Sequence, residues 1–268
     1  KIKIAHLHGG EVTQGAIDER IRHSISKMSD IHLVSTKNYK KRLIQLGESP
    51  SRVYHVGAIC NDNINNIKKF SKKRLEKDIG FKFKKRNIIV TLHPETTGGQ
   101  FTEKKIKIFF KTLSKLKNVG IIATYPNIDA GNQLILKYLE KFAKENNNVK
   151  IIKSLGAQNY LKSLKICDGI IGNSSSGLLE SPLLKKGSIN VGLRQKGRDT
   201  CGSVIDTDFD SKKIYKALKK IFSKKFKNNC KKVKSPYIGK NVSHKIYKII
   251  KSQKVQKLRN DKVFYDLR

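Results

Sequence analysis

Nine consecutive residues, Gly172-Asn173-Ser174-Ser175-Ser176-Gly177-Leu178-Leu179-Glu180, carry the strongest chemical signal in the chain. An apolar run at residues 169–171 leads into them, and Leu178, Leu179, Leu183 and Leu184 follow at helical spacing. A strand–loop–helix of this composition holds anions. Glycines let the backbone approach a ligand, hydroxyls donate hydrogen bonds, and the free N–H groups of the first helical turn point at the charge. Glu180, about one turn into the expected helix, is placed to accept from a sugar hydroxyl. A Ser-rich capped helix with nothing bound accounts for the same residues, so both readings stand at this point.

A second group lies near the N-terminus, where His6-Leu7-His8-Gly9-Gly10-Glu11 is followed by Asp18-Glu19-Arg20-Ile21-Arg22-His23. General acid–base chemistry needs a carboxylate beside a second titratable group, and this loop offers Glu11, His8 and Asp18. Asp18 opens a helix, so capping, or a pair with Arg22 one turn on, would also explain it. No His-x-x-x-His pair supports a metal. His93 closes an apolar strand just before Pro94, which favours a ligand contact over a core histidine. Arg194 and Arg198 sit in a Gly-bounded loop, where a guanidinium suits a phosphate or simply faces solvent.

These groups need a scaffold. The pattern predicts a strand at residues 2–7, a loop to 16, a helix at 18–28, a strand at 31–35, a helix at 38–46 stopped by Gly47, and a strand at 53–56. Residues 64–86 are Lys-rich, partly helical and the best linker candidate. Beyond them come strands at 87–92, 119–124, 149–152, 169–171 and 188–191. Helices are expected at 102–116, 132–145, 158–165, 209–226 and 241–256. Alternation of this kind is an α/β fold with parallel sheet and helices on both faces. In such sheets ligands bind beyond the carboxyl ends of the strands. His93, Asn127, Ser174, Ser175 and Arg194 each follow a strand, and sharing one sheet edge they would make a site.

Composition narrows the function. The chain has 268 residues, 37% of them hydrophobic, enough for one large or two ordinary domains. No window is long and apolar enough to span a bilayer, and no signal-peptide pattern opens it. Cys60, Cys167, Cys201 and Cys230 are scattered, which argues against disulfides or zinc and for a cytoplasmic location. The net charge of +37 invites a nucleic-acid reading. The excess is mostly lysine spread along the chain, and the aromatics among those lysines fall on apolar helix faces, so solvated helices explain it better. No Gly-x-Ser-x-Gly elbow, Walker lysine or G-x-G-x-x-G supports hydrolase, NTPase or nicotinamide chemistry.

Taken together, six segments resemble the hydrolysing UDP-N-acetylglucosamine 2-epimerase family, in its sialic-acid-pathway branch. They are the His6–Glu11 loop, residues 17–29, Leu92-His93-Pro94-Glu95-Thr96, Asn127-Ile128-Asp129-Ala130-Gly131, residues 172–180, and Arg194-Gln195-Lys196-Gly197-Arg198. Phe264-Tyr265-Asp266 also fits. The resemblance implies a GT-B-like fold of two Rossmann-like halves. Residues 1–66 would be the remainder of the N-terminal one, 67–250 the nucleotide-binding one, and 251–268 a tail returning to the first. It also implies elimination of UDP across C1–C2 and hydration to free N-acetylmannosamine, in a homo-oligomer with no cofactor and no metal. By position, His93, Asn127, Asn173, Ser174, Ser175, Glu180 and Arg194 would hold the UDP-sugar, while Asp18, Glu11, His8 and Arg22 would be catalytic. A UDP-N,N'-diacetylbacillosamine 2-epimerase of legionaminic acid synthesis is the alternative, and a GT-B glycosyltransferase a more distant one. No nucleic-acid or membrane partner is expected.

Two departures qualify this. His8 stands where many related epimerases have a glutamate, so the proton could pass through His8 or Glu11. The chain also opens on strand-like Lys1-Ile2-Lys3-Ile4-Ala5 without an initiator Met, and family members begin with roughly a hundred more residues, most of a Rossmann-like half. The expectation is an N-terminally truncated protein, inactive as it stands.

Overall fold

Strands and helices alternate to build two parallel sheets, seen in a computed structural model that describes residues 2–97, 101–258 and 261–267. In chain order the first part runs β1 (Ala5–Leu7), α1 (Asp18–Met28), β2 (Ile31–Val34), α2 (Lys37–Gln45), β3 (Val53–His55) and α3 (Cys60–Asn65). The second runs α4 (Lys72–Ile79), β4 (Arg86–Thr91), α5 (Glu103–Leu113), β5 (Val119–Thr124), α6 (Asn132–Glu145), β6 (Val149–Ile152), α7 (Gly156–Ile166), β7 (Gly169–Gly172), α8 (Glu180–Leu183), β8 (Gly187–Val191), β9 (Val204–Thr207) and α9 (Ser211–Phe222). Three helices follow, α10 (Lys224–Lys232), α11 (Val242–Lys251) and α12 (Gln253–Gln256).

The first sheet has the order β1-β2-β3 and the second β6-β5-β4-β7-β8-β9, with every pairing parallel. From β4 the chain winds outward to β6, then returns to place β7 on β4's other side. The strand order therefore reverses between β4 and β7, which opens a crevice at their carboxyl ends. Helices cover both faces of this sheet, so its central strands β4, β5 and β7 carry buried apolar runs. Ile88 and Val90 face α5, α6 and α9 in one core, while Ile89, Ile122 and Ile170 face α4 and α7 in another.

Several expectations are corrected here. The Lys-rich stretch after residue 64 is not a free linker, because Leu75, Ile79, Phe81 and Phe83 are buried beneath Ile89 and Ile122. The helices expected at 209–226 and 241–256 each break at a serine with ψ near 140°, at Ser223 and Ser252. Each hydroxyl accepts an N–H of the next helix, from Phe226 at 3.2 Å and Val255 at 3.4 Å, so the serines cap new helices. Strand β9 went unread, since Asp206 interrupts its apolar run. The first strand begins at Ala5 rather than at residue 2. In α5 the expectation holds: Phe109 and Phe110 are buried between the lysines, as core residues.

The segment after α10 is fastened to the first part of the chain. Asn61 Nδ2 donates to Ala58 O and Tyr237 O at 2.6 and 2.8 Å, and the Tyr39 and Tyr237 hydroxyls meet at 2.7 Å. The last described residues lie on the first sheet's helices. Lys262 Nζ donates to Ser26, Lys27 and Ser29 carbonyls, and Tyr265 N–H to Gly47 O at 3.0 Å. No helix among the described residues is long and apolar enough to cross a membrane.

Candidate functional site

The crevice between β4 and β7 is closed at its floor by Gly172. Its φ is +140°, and a Cβ there would lie 1.8 Å from Thr91 O, so only glycine lets β7 end against β4. Asn173 then locks the two strand ends. Its Oδ1 accepts the His93 N–H at 2.7 Å and its Nδ2 donates to His93 O at 2.9 Å. The Asn173 carbonyl accepts from Gln195 Nε2 at 2.8 Å and from an Arg194 guanidinium nitrogen at 3.4 Å. Asn173 is fully buried and its amide is spent on backbone, so it is a clamp rather than the ligand contact expected from sequence. The clamp ties the ends of β4 and β7 to the loop after β8.

Ser174 and Ser175 are half-buried beyond it. Ser174 Oγ accepts the Ser176 N–H at 3.4 Å, so the serines cap a 3₁₀ turn at Ser175–Gly177, not a long helix. Glu180 is the first residue of a one-turn helix and not a turn inside one. Its half-buried carboxyl is pushed upward by burial, against the opposing pull of Ser176, His8 and Arg198.

His93 is buried, and its Nδ1 accepts the Asn127 N–H at 3.0 Å. The ring proton must then sit on Nε2. Burial and the neighbouring Arg194 charge hold this imidazole at about 4, so near neutral pH it is an uncharged donor. A cavity of about 350 Å³ opens here, lined by His93, Asn127, Tyr160, Ser174, Ser176 and the Gly156 end of α7. Arg194 is 8% exposed and its Nε has no partner among the described residues. The Leu193 and Arg194 N–H groups donate to Glu95 Oε1 at 2.6 and 3.1 Å, which sets the loop.

The N-terminal loop is stitched to this edge. Thr96 N–H donates to Gly15 O, Ile17 N–H to Thr96 Oγ1, and a Cβ at Gly15 would stand 2.5 Å from Arg194 Cα. Glu11 is 2% exposed and fully engaged. Its Oε1 accepts from His8 Nδ1 at 2.6 Å and Ser35 Oγ at 2.9 Å, and its Oε2 meets Arg198 at 2.9 Å. Burial alone would raise this carboxyl, but the His8 hydrogen bond and Arg198 outweigh it and hold it at about 2. Arg198 is therefore internal and not the solvent-facing residue that was one of its two readings. Asp18 caps nothing: the residue before it, Ile17, already has helical angles, and no side-chain cap forms. The exposed Asp18 makes no ion pair among the described residues, yet its charge reaches Arg22 and Arg194. Arg22 donates instead to Thr13 Oγ1 at 2.7 Å.

Sequence reading missed Tyr160 and Ser35, while Ser176 lies within the Gly172–Glu180 run it singled out. Ser35 follows β2 and obeys the same strand-end rule, while Tyr160, whose hydroxyl donates to Ser176 Oγ at 2.6 Å, lies mid-helix and gave no signal. Among the described residues no three His, Cys, Asp or Glu side chains gather as a metal site would require. The arrangement offers neutral and cationic donors to an anion at the strand ends, with a titratable loop across from them.

A sequence profile described as UDP-N-acetylglucosamine 2-epimerase matches residues 1–251. The chain is 44% identical over 229 residues to a Campylobacter jejuni protein named GDP/UDP-N,N'-diacetylbacillosamine 2-epimerase (hydrolyzing), covering 85% of this chain and 59% of that one. It is 38% identical over 267 residues to polysialic acid biosynthesis protein P7 of Escherichia coli, covering 99% of this chain and 68% of that one. The chain thus spans less than two thirds of the length of the Campylobacter relative. The solved Neisseria meningitidis UDP-GlcNAc 2-epimerase bound to UDP-GlcNAc superposes with a TM-score of 0.78 at 17% identity, over 93% of this chain and 70% of that one. That likeness establishes the expected GT-B-like α/β fold. The chain belongs to the UDP-N-acetylglucosamine 2-epimerase family.

Proposed function

We propose that this protein is a hydrolysing UDP-sugar 2-epimerase. The observation that carries the reading is the meeting, at one sheet edge, of anion donors from β4, β5, β7 and β8 with the titratable loop after β1. The His93 Nε2–H, Asn127, Ser174, Ser175 and Arg194 hold the diphosphate, Glu180 holds a sugar hydroxyl, and Asn173 braces them from behind. Asp18, His8 and Arg22 serve the sugar carbons, with Glu11 enclosed behind His8. A proton leaves C2 as the C1–O bond breaks and its electron pair departs on UDP. Water then adds to the C1=C2 bond, hydroxyl to C1 and proton to the opposite face of C2. The donors stabilise the departing diphosphate where charge builds.

UDP-N-acetylglucosamine, giving N-acetylmannosamine for sialic-acid-like sugars, is the first substrate to test. The name of the Campylobacter relative, at 44% identity, favours the diacetamido sugar as a second reading. We read residues 1–66, 67–250 and 251–268 as two halves and a returning tail. Four unpaired cysteines suit a reducing cytoplasm. A homo-oligomer, and the lack of nucleic-acid or membrane partners, are read from the resemblance. The test is UDP binding by calorimetry, with NMR product analysis on both UDP-sugars. UDP binding is expected, and any free sugar released should be inverted at C2. No UDP binding, or a sugar released unchanged at C2, overturns the proposal.

A further inference from the structure

The titratable loop holds more groups than one proton transfer needs, and its contacts sort them. Resting on the epimerase reading, we infer that His8 transfers a proton at the sugar, and that Glu11 is a positioning residue that aims the His8 imidazole.

Glu11 has nothing left to offer a substrate. Both of its oxygens are taken, by His8 and Ser35 on one side and Arg198 on the other, and the side chain is 3% exposed. A carboxylate so enclosed stays ionised and stays put. His8 is its opposite. Its side chain is 28% exposed, and only Nδ1 is engaged. A carboxylate acceptor requires the proton on Nδ1, so Nε2 keeps its lone pair, and that nitrogen has no partner among the described residues. A buried anion behind an imidazole also stabilises the imidazolium that forms when Nε2 takes a proton.

The backbone supports the assignment. His8 has φ +62°, an uncommon conformation for a side chain other than glycine's, and such outliers gather where geometry serves function. Gly10 beside it, at φ +75°, lies where a Cβ would stand 2.6 Å from Tyr39 O, so the loop has no room to relax. The other histidines are committed. His6 Nδ1 meets Ser26 Oγ at 3.1 Å, and His23 Nε2 meets Glu19 at 3.1 Å while its Nδ1 is buried. Inversion at C2 needs a proton removed on one face and returned on the other. Among the described residues of this loop and its helix, His8 and the exposed Asp18 are the pair free to do so.

The test combines nitrogen shifts with a kinetic cycle on the full chain. Imidazole ¹⁵N shifts should show His8 protonated at Nδ1 and bare at Nε2; the reverse tautomer overturns the inference whether or not the chain turns over substrate. H8Q should lower UDP release and C2 solvent exchange by about 10²–10⁴-fold with UDP affinity unchanged. H8A should regain part of its rate with added imidazole. E11Q should lower kcat with KM little changed, and should cost nothing further in the H8A background, because it acts only through the lost ring. An equal loss from E11Q in both backgrounds, or an H8Q enzyme at full rate, defeats the assignment. A chain that binds no UDP defeats the epimerase reading instead, and the nitrogen shifts still decide the fate of the His8–Glu11 pair.

Discussion

The strand-end edge of the second sheet and the loop after β1 solve different problems. At the edge, functional atoms are placed by backbone: Gly172 lets two strands close, and Asn173 fastens them through main-chain groups. In the loop they are placed by charge, with His8, Ser35 and Arg198 converging on one buried carboxylate. Binding tolerates a rigid scaffold of dipoles. Proton transfer needs a group that can change charge, and that group must be aimed by neighbours that do not.

The sharpest way to separate the regions is D18N. It should leave UDP affinity within about twofold while lowering turnover by about 10²–10⁴-fold, as for loss of a general acid or base. Equal losses in both would mean that Asp18 belongs to the binding edge. Next in size is G172A, which forces a Cβ onto Thr91 O at 1.8 Å. It should cost roughly 3 kcal/mol or more and abolish UDP binding, as strained backbone substitutions do. A thermal melt within a degree or two of wild type would contradict the account of Gly172.

R194A probes the edge more gently. Loss of a charged donor should weaken UDP binding by about 10–100-fold, about 1.5–3 kcal/mol, with a cooperative melt retained. Calorimetry showing undiminished affinity would remove Arg194 from the site. The smallest effect concerns pH. His93 and His6 are held at about 4 against an ordinary 6.5, each chiefly by burial, so the unfolded chain binds more protons in that window. Stability contributed by these neutral rings is complete above 6.5 and drains away as pH falls toward 4. Glu11 and Glu48, both held at about 2, extend the loss as pH falls from 4.5 to that value. Melts from pH 8 to 4 should fall below pH 6.5, and H93Q should flatten the slope. An unchanged slope would place the titration elsewhere.

Most of the candidate edge was legible. His93, Asn127, Ser174 and Arg194 each end a strand, and period, apolar runs and Gly/Pro punctuation reveal strand ends. The breaks at Ser223 and Ser252 were not legible, because a serine in a Lys-rich helical pattern reads equally as a solvent-facing residue or a cap. Asn173 was misread as a ligand contact for a related reason. An amide carries donors and an acceptor, and its residue type does not say whether a backbone or a ligand satisfies them.

Local pattern settled the alternating α/β architecture, the parallel sheet and the loops bearing its chemistry, because the periods of burial are properties of neighbouring residues. Which side chain would transfer the proton was not among these. Glu11 and His8 are three residues apart and equally titratable on paper. Folding brings Ser35 and Arg198 from far along the chain onto Glu11 and leaves His8 with one nitrogen free among the described residues. Ionisation responds to burial and to charges close in space, so the division of labour within this loop arises only once distant segments meet.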